Sequence, residues 1–134
     1  MNQSLYALLY FLGWTIFLGV LVVSARAIQV VLGKKKSNEF TSGVKHGSER
    51  YWQMNRASAN AIENLPVFAS LVLIGNVAGK VDLEFIYACN VVVLARVLQS
   101  TIHLISTTVL AVNVRFTFYV IQIASFVFLL VKLL

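Results

Sequence analysis

Arg56, Asn60 and Glu63 stand at i, i+4 and i+7 in the stretch RASANAIENLPVF, so their side chains share one helix face. Arg115 and Tyr119 repeat the one-turn spacing further along the chain. A thiol has an ordinary pKa of about 8.5 and ionises more readily beside a guanidinium. Tyr119 is one turn on and can donate a hydrogen bond to the same sulfur. Arg96, Gln99 and His103 form a third polar stripe, at i, i+3 and i+7, and Gln122 and Arg26 complete the set. Arg56, Asn60 and Glu63 have two compatible readings, a ligand cradle and an interhelical hydrogen-bond network. His103 divides in the same way, between a ligand contact and a satisfied interhelical hydrogen-bonder.

The elements that must position these groups are apolar helices. The chain has 134 residues, 59% of them hydrophobic, and a mean hydropathy of +0.82. Its apolar residues run in blocks, from Leu5 to Ala25, Leu65 to Ala78, Phe85 to Ala95 and Phe116 to Val131. A helix of roughly 20 residues crosses about 30 Å of hydrocarbon. The pattern predicts an all-α, integral membrane four-helix bundle with spans at about 5–32, 52–79, 83–107 and 113–133. Residues 1–134 then form one transmembrane domain, with 34–50 as its polar loop. The leading residues MNQS carry no Lys or Arg, and the block after them is too long for a cleaved signal peptide.

Charge sets an expected orientation. Lys34, Lys35, Lys36, Lys45 and Arg50 outweigh Glu39 and Glu49 in the first loop. The positive-inside rule puts that loop in the cytoplasm and both termini outside, with the turn near Leu110–Asn113 also inside. Lys132 at the outer end is then expected to snorkel. The net charge of +6 is divided between a membrane flank and helix interiors. That argues against nucleic-acid binding and leaves lipid headgroups as partners of the lysine cluster. Cys89 is alone and mid-helix, so it offers neither a disulfide nor a cysteine metal site, and no metal is expected. A proton-coupled small multidrug transporter needs an acidic residue in its first helix, and residues 5–33 contain none.

The buried charges do not balance. Arg26, Arg56, Arg96 and Arg115 face Glu63 as the single intramembrane carboxylate. Each arginine in a span costs about 2.5–3.5 kcal/mol on insertion scales. A small anion bearing carboxylates would offset the excess. Pro66 removes the hydrogen bond to the Ile62 carbonyl, and a kink there would open space beside the polar stripe. With a fourth helix beginning near residue 113, Arg115 falls in its first turn, where free N–H groups favour negative charge.

The string R-x3-N-x2-E-N-x-P-x-F at Arg56–Phe68 resembles the second helix of the MAPEG family, the membrane-associated proteins in eicosanoid and glutathione metabolism. Ser24-Ala25-Arg26 resembles the end of that family's first helix, Arg96 with His103 its third, and Arg115 with Tyr119 its fourth. The resemblance implies a homotrimer of four-helix bundles that binds glutathione between subunits, near the cytoplasmic side. It implies that Arg26 and Arg56 hold glutathione carboxylates and that Asn60 and Glu63 hold its polar groups, and His103 on the third helix is a further candidate glutathione contact. Arg115 would stabilise the thiolate, with Tyr119 beside it. Gln99, His103, Asn64 and Phe116 depart from the residues found in active relatives. The likeness is closest to short bacterial members, which implies an inner-membrane protein. Two functions follow from it. One is a glutathione-dependent transferase or peroxidase acting on lipophilic electrophiles or lipid hydroperoxides. The other is a non-catalytic lipid-binding or scaffold protein of the same fold.

Overall fold

The computed structural model describes residues 1–41 and 43–134. Four helices account for most of it: α1 (Gln3–Val31), α2 (Glu49–Val77), α3 (Leu83–Ile105) and α4 (Val109–Leu133). All four are long and apolar enough to cross a membrane. Each begins at a residue whose side-chain oxygen accepts an orphan backbone N–H. Asn2 takes the N–H of Leu5, Ser48 that of Tyr51, Asp82 that of Phe85 and Thr108 that of Ala111. α1 and α2 end in the same way, on a glycine with positive φ (Gly33 at 72°, Gly79 at 67°). In each case the next N–H, of Lys34 or Lys80, turns back to the carbonyl of Gln29 or Gly75.

The caps move the expected boundaries. α4 begins at Val109 rather than near 113, because Thr108 supplies a cap and Val109–Val112 continue the helix without a breaker. The α3–α4 connection is therefore 106–108, and Leu110–Asn113 is helical. Arg115 lies in the second turn of α4, beyond the free N–H groups, so the helix-end argument for it fails. α2 begins at Glu49, one turn earlier than the apolar block suggested, because Ser48 caps it. α1 and α3 end one and two residues early, at Val31 and Ile105. α2 runs unbroken through Pro66.

α1 packs on α2 and α3, α4 packs on α3 and more sparsely on α2, and α1 does not touch α4. The buried apolar core is Ala7, Phe11, Phe68, Leu71, Val72, Phe85, Cys89, Val92, Phe126 and Leu129. In the up-and-down path these residues all fall in the half of the bundle that carries the termini. Phe68 joins the layers, with ring centroids 5.2 Å from Phe11 and 6.2 Å from Phe126. Gly75 admits the Phe85 ring against α2, since a Cβ there would lie 2.6 Å from Phe85 Cζ. Large apolar side chains such as Leu9, Ile16, Phe17, Val23, Val120 and Phe128 face outward, as lipid-facing helices require.

The terminal end is pinned by polar contacts. Lys132 pairs with Asp82 and, at 2.6 Å, with Glu84. It therefore folds back onto the α2–α3 turn instead of snorkelling outward. Lys80 Nζ donates to the carbonyl of Leu133 at 2.6 Å. Asn76 Nδ2 donates to Ser4 Oγ at 3.0 Å, tying α2 to α1.

Candidate functional site

The other half of the bundle has a polar interior. Arg96, Gln99, Ser100, His103 and Gln122 are all buried there. Gln122 Nε2 donates to Gln99 Oε1 at 2.8 Å, fastening α4 to α3. No ion pair joins Arg96 to Glu63 among the described residues. Its guanidinium sits 5.8 Å from the centroid of Phe11, and Nε and Nη2 have no hydrogen-bond partner among the described residues.

Above this floor an open pocket of about 380 Å³ lies between α2, α3 and α4. Its lining includes Arg56 and Asn60 from α2, His103 from α3, and Arg115 and Tyr119 from α4. Five of the seven site residues expected from sequence thus meet in one place. Gln53, Gln99, Val112 and Phe116 complete the wall. Arg115 Nη1 donates to Gln53 Oε1 at 3.4 Å, a long bond that leaves most of the guanidinium available. Neither Arg56 nor Arg115 has an ion-pair partner among the described residues, and no carboxylate lines the pocket. The pocket is cationic by construction.

Arg26 and Glu63 lie outside it. Arg26 Nε donates to the Tyr51 hydroxyl at 2.8 Å, and Nη2 to Asn55 Oδ1 at 3.3 Å. Its guanidinium also lies 5.5 Å from the Phe40 ring centroid, on the α1–α2 seam. Glu63 is exposed on α2, without an ion pair among the described residues. Gln53 was missed by sequence reasoning. The signal for it was its position three residues before Arg56, on the same face.

The α2–α4 seam continues past Glu63 into a second open groove of about 520 Å³, lined by Pro66, Val67, Ser70, Ile74, Phe126 and Val127 among others. The space beside Pro66 is therefore apolar and separate from the polar stripe. One seam presents a cationic end near loop 34–50 and an apolar end deeper in the span.

Four lipid-compatible helices around a polar pocket define an integral, multi-pass membrane protein. The sequence model of the MAPEG family matches residues 4–134, and the chain belongs to that family. Membership ties it to a membrane family of glutathione transferases, peroxidases and related proteins. No curated protein and no solved structure matches the chain.

Proposed function

We propose that this protein is a membrane-bound glutathione transferase or peroxidase that activates the glutathione thiolate against lipophilic electrophiles or lipid hydroperoxides. The observation that carries the reading is the gathering of Arg56 and Arg115 in a pocket with no lining carboxylate. Glutathione brings two carboxylates and an ionisable thiol, and the pocket offers two cations, three amides, an imidazole and a phenol for them. Arg56 binds a carboxylate, and Asn60 and His103 bind peptide polar groups. Arg115 lowers the cost of the thiolate by its own charge, since it lies beyond the helix end. Tyr119 donates its hydroxyl proton as a hydrogen bond to the sulfur.

The thiol proton leaves to water. In conjugation the thiolate forms a C–S bond with the electrophilic carbon as the leaving group departs with its electron pair. With a hydroperoxide the sulfur attacks the distal oxygen and the O–O bond breaks. The alkoxide takes a proton, and a second glutathione converts the sulfenic acid to disulfide and water. The apolar groove beside Pro66 suits the lipophilic partner. We assign Arg26 and Glu63 to glutathione in a homotrimer, reaching the site across a subunit boundary. The support is their position outside their own chain's pocket.

The alternative is a lipid-binding or scaffold protein, favoured by the size of the apolar groove and by Gln99 in the pocket wall. Conjugation of glutathione to a small aromatic electrophile by the detergent-purified protein separates the two. We expect turnover that falls roughly a hundred- to a thousandfold in Arg115→Ala. Thermal stabilisation by glutathione without turnover would leave binding alone. Absence of both would remove glutathione from the account. Equal turnover in Arg115→Ala would keep the enzyme and discard the mechanism.

A further inference from the structure

The basic loop has a structure that the glutathione reading does not use. α1 is 29 residues long, roughly 43 Å at the helical rise, against about 30 Å of hydrocarbon. Its last turn therefore reaches the headgroup layer. There the end of α1 and the start of α2 enclose a cavity of about 290 Å³, lined by Gln29, Lys34, Lys35, Gly47 and Ser48. Lys34 is exposed and Lys35 half-buried. Lys35 Nζ is 3.3 Å from His46 Nδ1 and 5.4 Å from the Phe40 centroid. That placement aims the ammonium along the loop and leaves two of its three N–H donors unused.

Of the loop's two carboxylates, Glu39 does not line the cavity and Glu49 is engaged elsewhere. Glu49, at the start of α2, accepts from Lys45 Nζ at 2.5 Å and from Gln53 Nε2 at 3.0 Å. The end of α1 presents few free carbonyls, because those of Ile28, Gln29 and Val30 accept loop N–H groups. On the opposite wall, Ser48 engages only the N–H groups of Tyr51 and Trp52, which leaves the first N–H groups of α2 for an anion.

We propose that this cavity binds a phosphate group, and that its source at this depth is the headgroup of an anionic glycerophospholipid. Lys34 and Lys35 supply the charge and Gln29 and Ser48 the flanking polar atoms. The site is independent of glutathione.

The test titrates anionic phospholipid into the full-length protein in zwitterionic nanodiscs, and inorganic phosphate into the protein in detergent. Lys34→Gln/Lys35→Gln is compared with Lys36→Gln/Lys45→Gln, which removes the same charge from outside the cavity. We expect saturable lipid binding, weakened roughly fivefold for each cavity lysine lost, with a much smaller change in the control pair. Lys34→Gln alone controls for loss of Lys35 unsettling the loop, because the Lys34 side chain makes no hydrogen bond or ion pair among the described residues and its backbone bond to Gln29 survives the substitution. Saturation by inorganic phosphate with the same lysine dependence supports the phosphate chemistry and assigns the source to free phosphate. Equal losses in both pairs would reduce the effect to diffuse surface charge and overturn the site, as would a lack of saturable binding in both arms.

Discussion

The two halves of the bundle hold themselves together by different means. In the terminal half, phenylalanines and small apolar residues fill the interior, and the end charges close on one another through Lys132, Asp82 and Glu84. In the half beside loop 34–50, Arg96, Gln99, Ser100, His103 and Gln122 are buried beside small and aliphatic residues such as Leu18, Ala57 and Ala61. Its two pocket arginines have no carboxylate partner among the described residues. In lipid, helices gain little from burying apolar groups against one another, so packing and hydrogen bonds carry association. The terminal half is complete by that standard. The other half leaves charge over, and the remainder after internal pairing is what points to a ligand. Lys132 and Lys80 drop out of that remainder, and Arg56 and Arg115 stay in it.

The sharpest way to break this contrast is to remove one cation from each half. Arg56→Gln should weaken glutathione binding by about 1.5–3 kcal/mol, roughly ten- to a hundredfold, because a charge-assisted contact is lost. Lys80→Gln removes only a bond to the Leu133 carbonyl at the far end and should leave glutathione affinity unchanged. Calorimetric titration of both variants decides it. Equal weakening would mean that the protein senses overall charge and has no localised site.

The next largest effect belongs to the apolar half. Gly75→Ala would place a methyl 2.6 Å from the buried Phe85 ring, and such overpacking costs about 1–3 kcal/mol. The thermal midpoint should fall while the folded fraction keeps its glutathione affinity. An unchanged midpoint would show that the aromatic layer is looser than its packing suggests.

The spans were legible because hydrocarbon imposes a length and an apolar composition that few other environments demand. The helix ends were less legible. Apolar blocks do not reveal that Ser48 caps a helix whose first turn, Glu49–Trp52, is mixed, or that Thr108 starts the last helix before Asn113, and the shift at Thr108 moved Arg115 off the helix end. Within the site, i, i+4 spacing was enough to find Arg56 with Asn60 and Arg115 with Tyr119. Spacing cannot show which neighbour a face meets. Arg26 shares a membrane depth with the pocket yet turns to Tyr51 and Asn55, and Glu63 shares a face with Asn60 yet lies beyond the pocket edge. Nor does the sequence around Gly75 show that this position receives the Phe85 ring.

The smallest effect tests the pairing at the terminal end. Asp82 is exposed, and its carboxyl lies below the usual range because Lys132 donates to it and the Phe85 N–H adds a second bond. A depressed folded pKa stabilises the protein above the ordinary aspartate value of about 3.9, and that contribution fades as pH falls through the lower folded value. Asp82→Asn keeps a good helix cap but loses the ion pair. The wild type should therefore melt slightly higher than the variant near neutrality, and the gap should close on acidification below about pH 4. Differential scanning calorimetry across that range measures the gap, and repeating it in a Glu84→Gln background removes the carboxylate that shares Lys132 with Asp82. A gap independent of pH would mean that the end charges lie close without stabilising the fold. The contrast between the halves would then rest on the aromatic core alone.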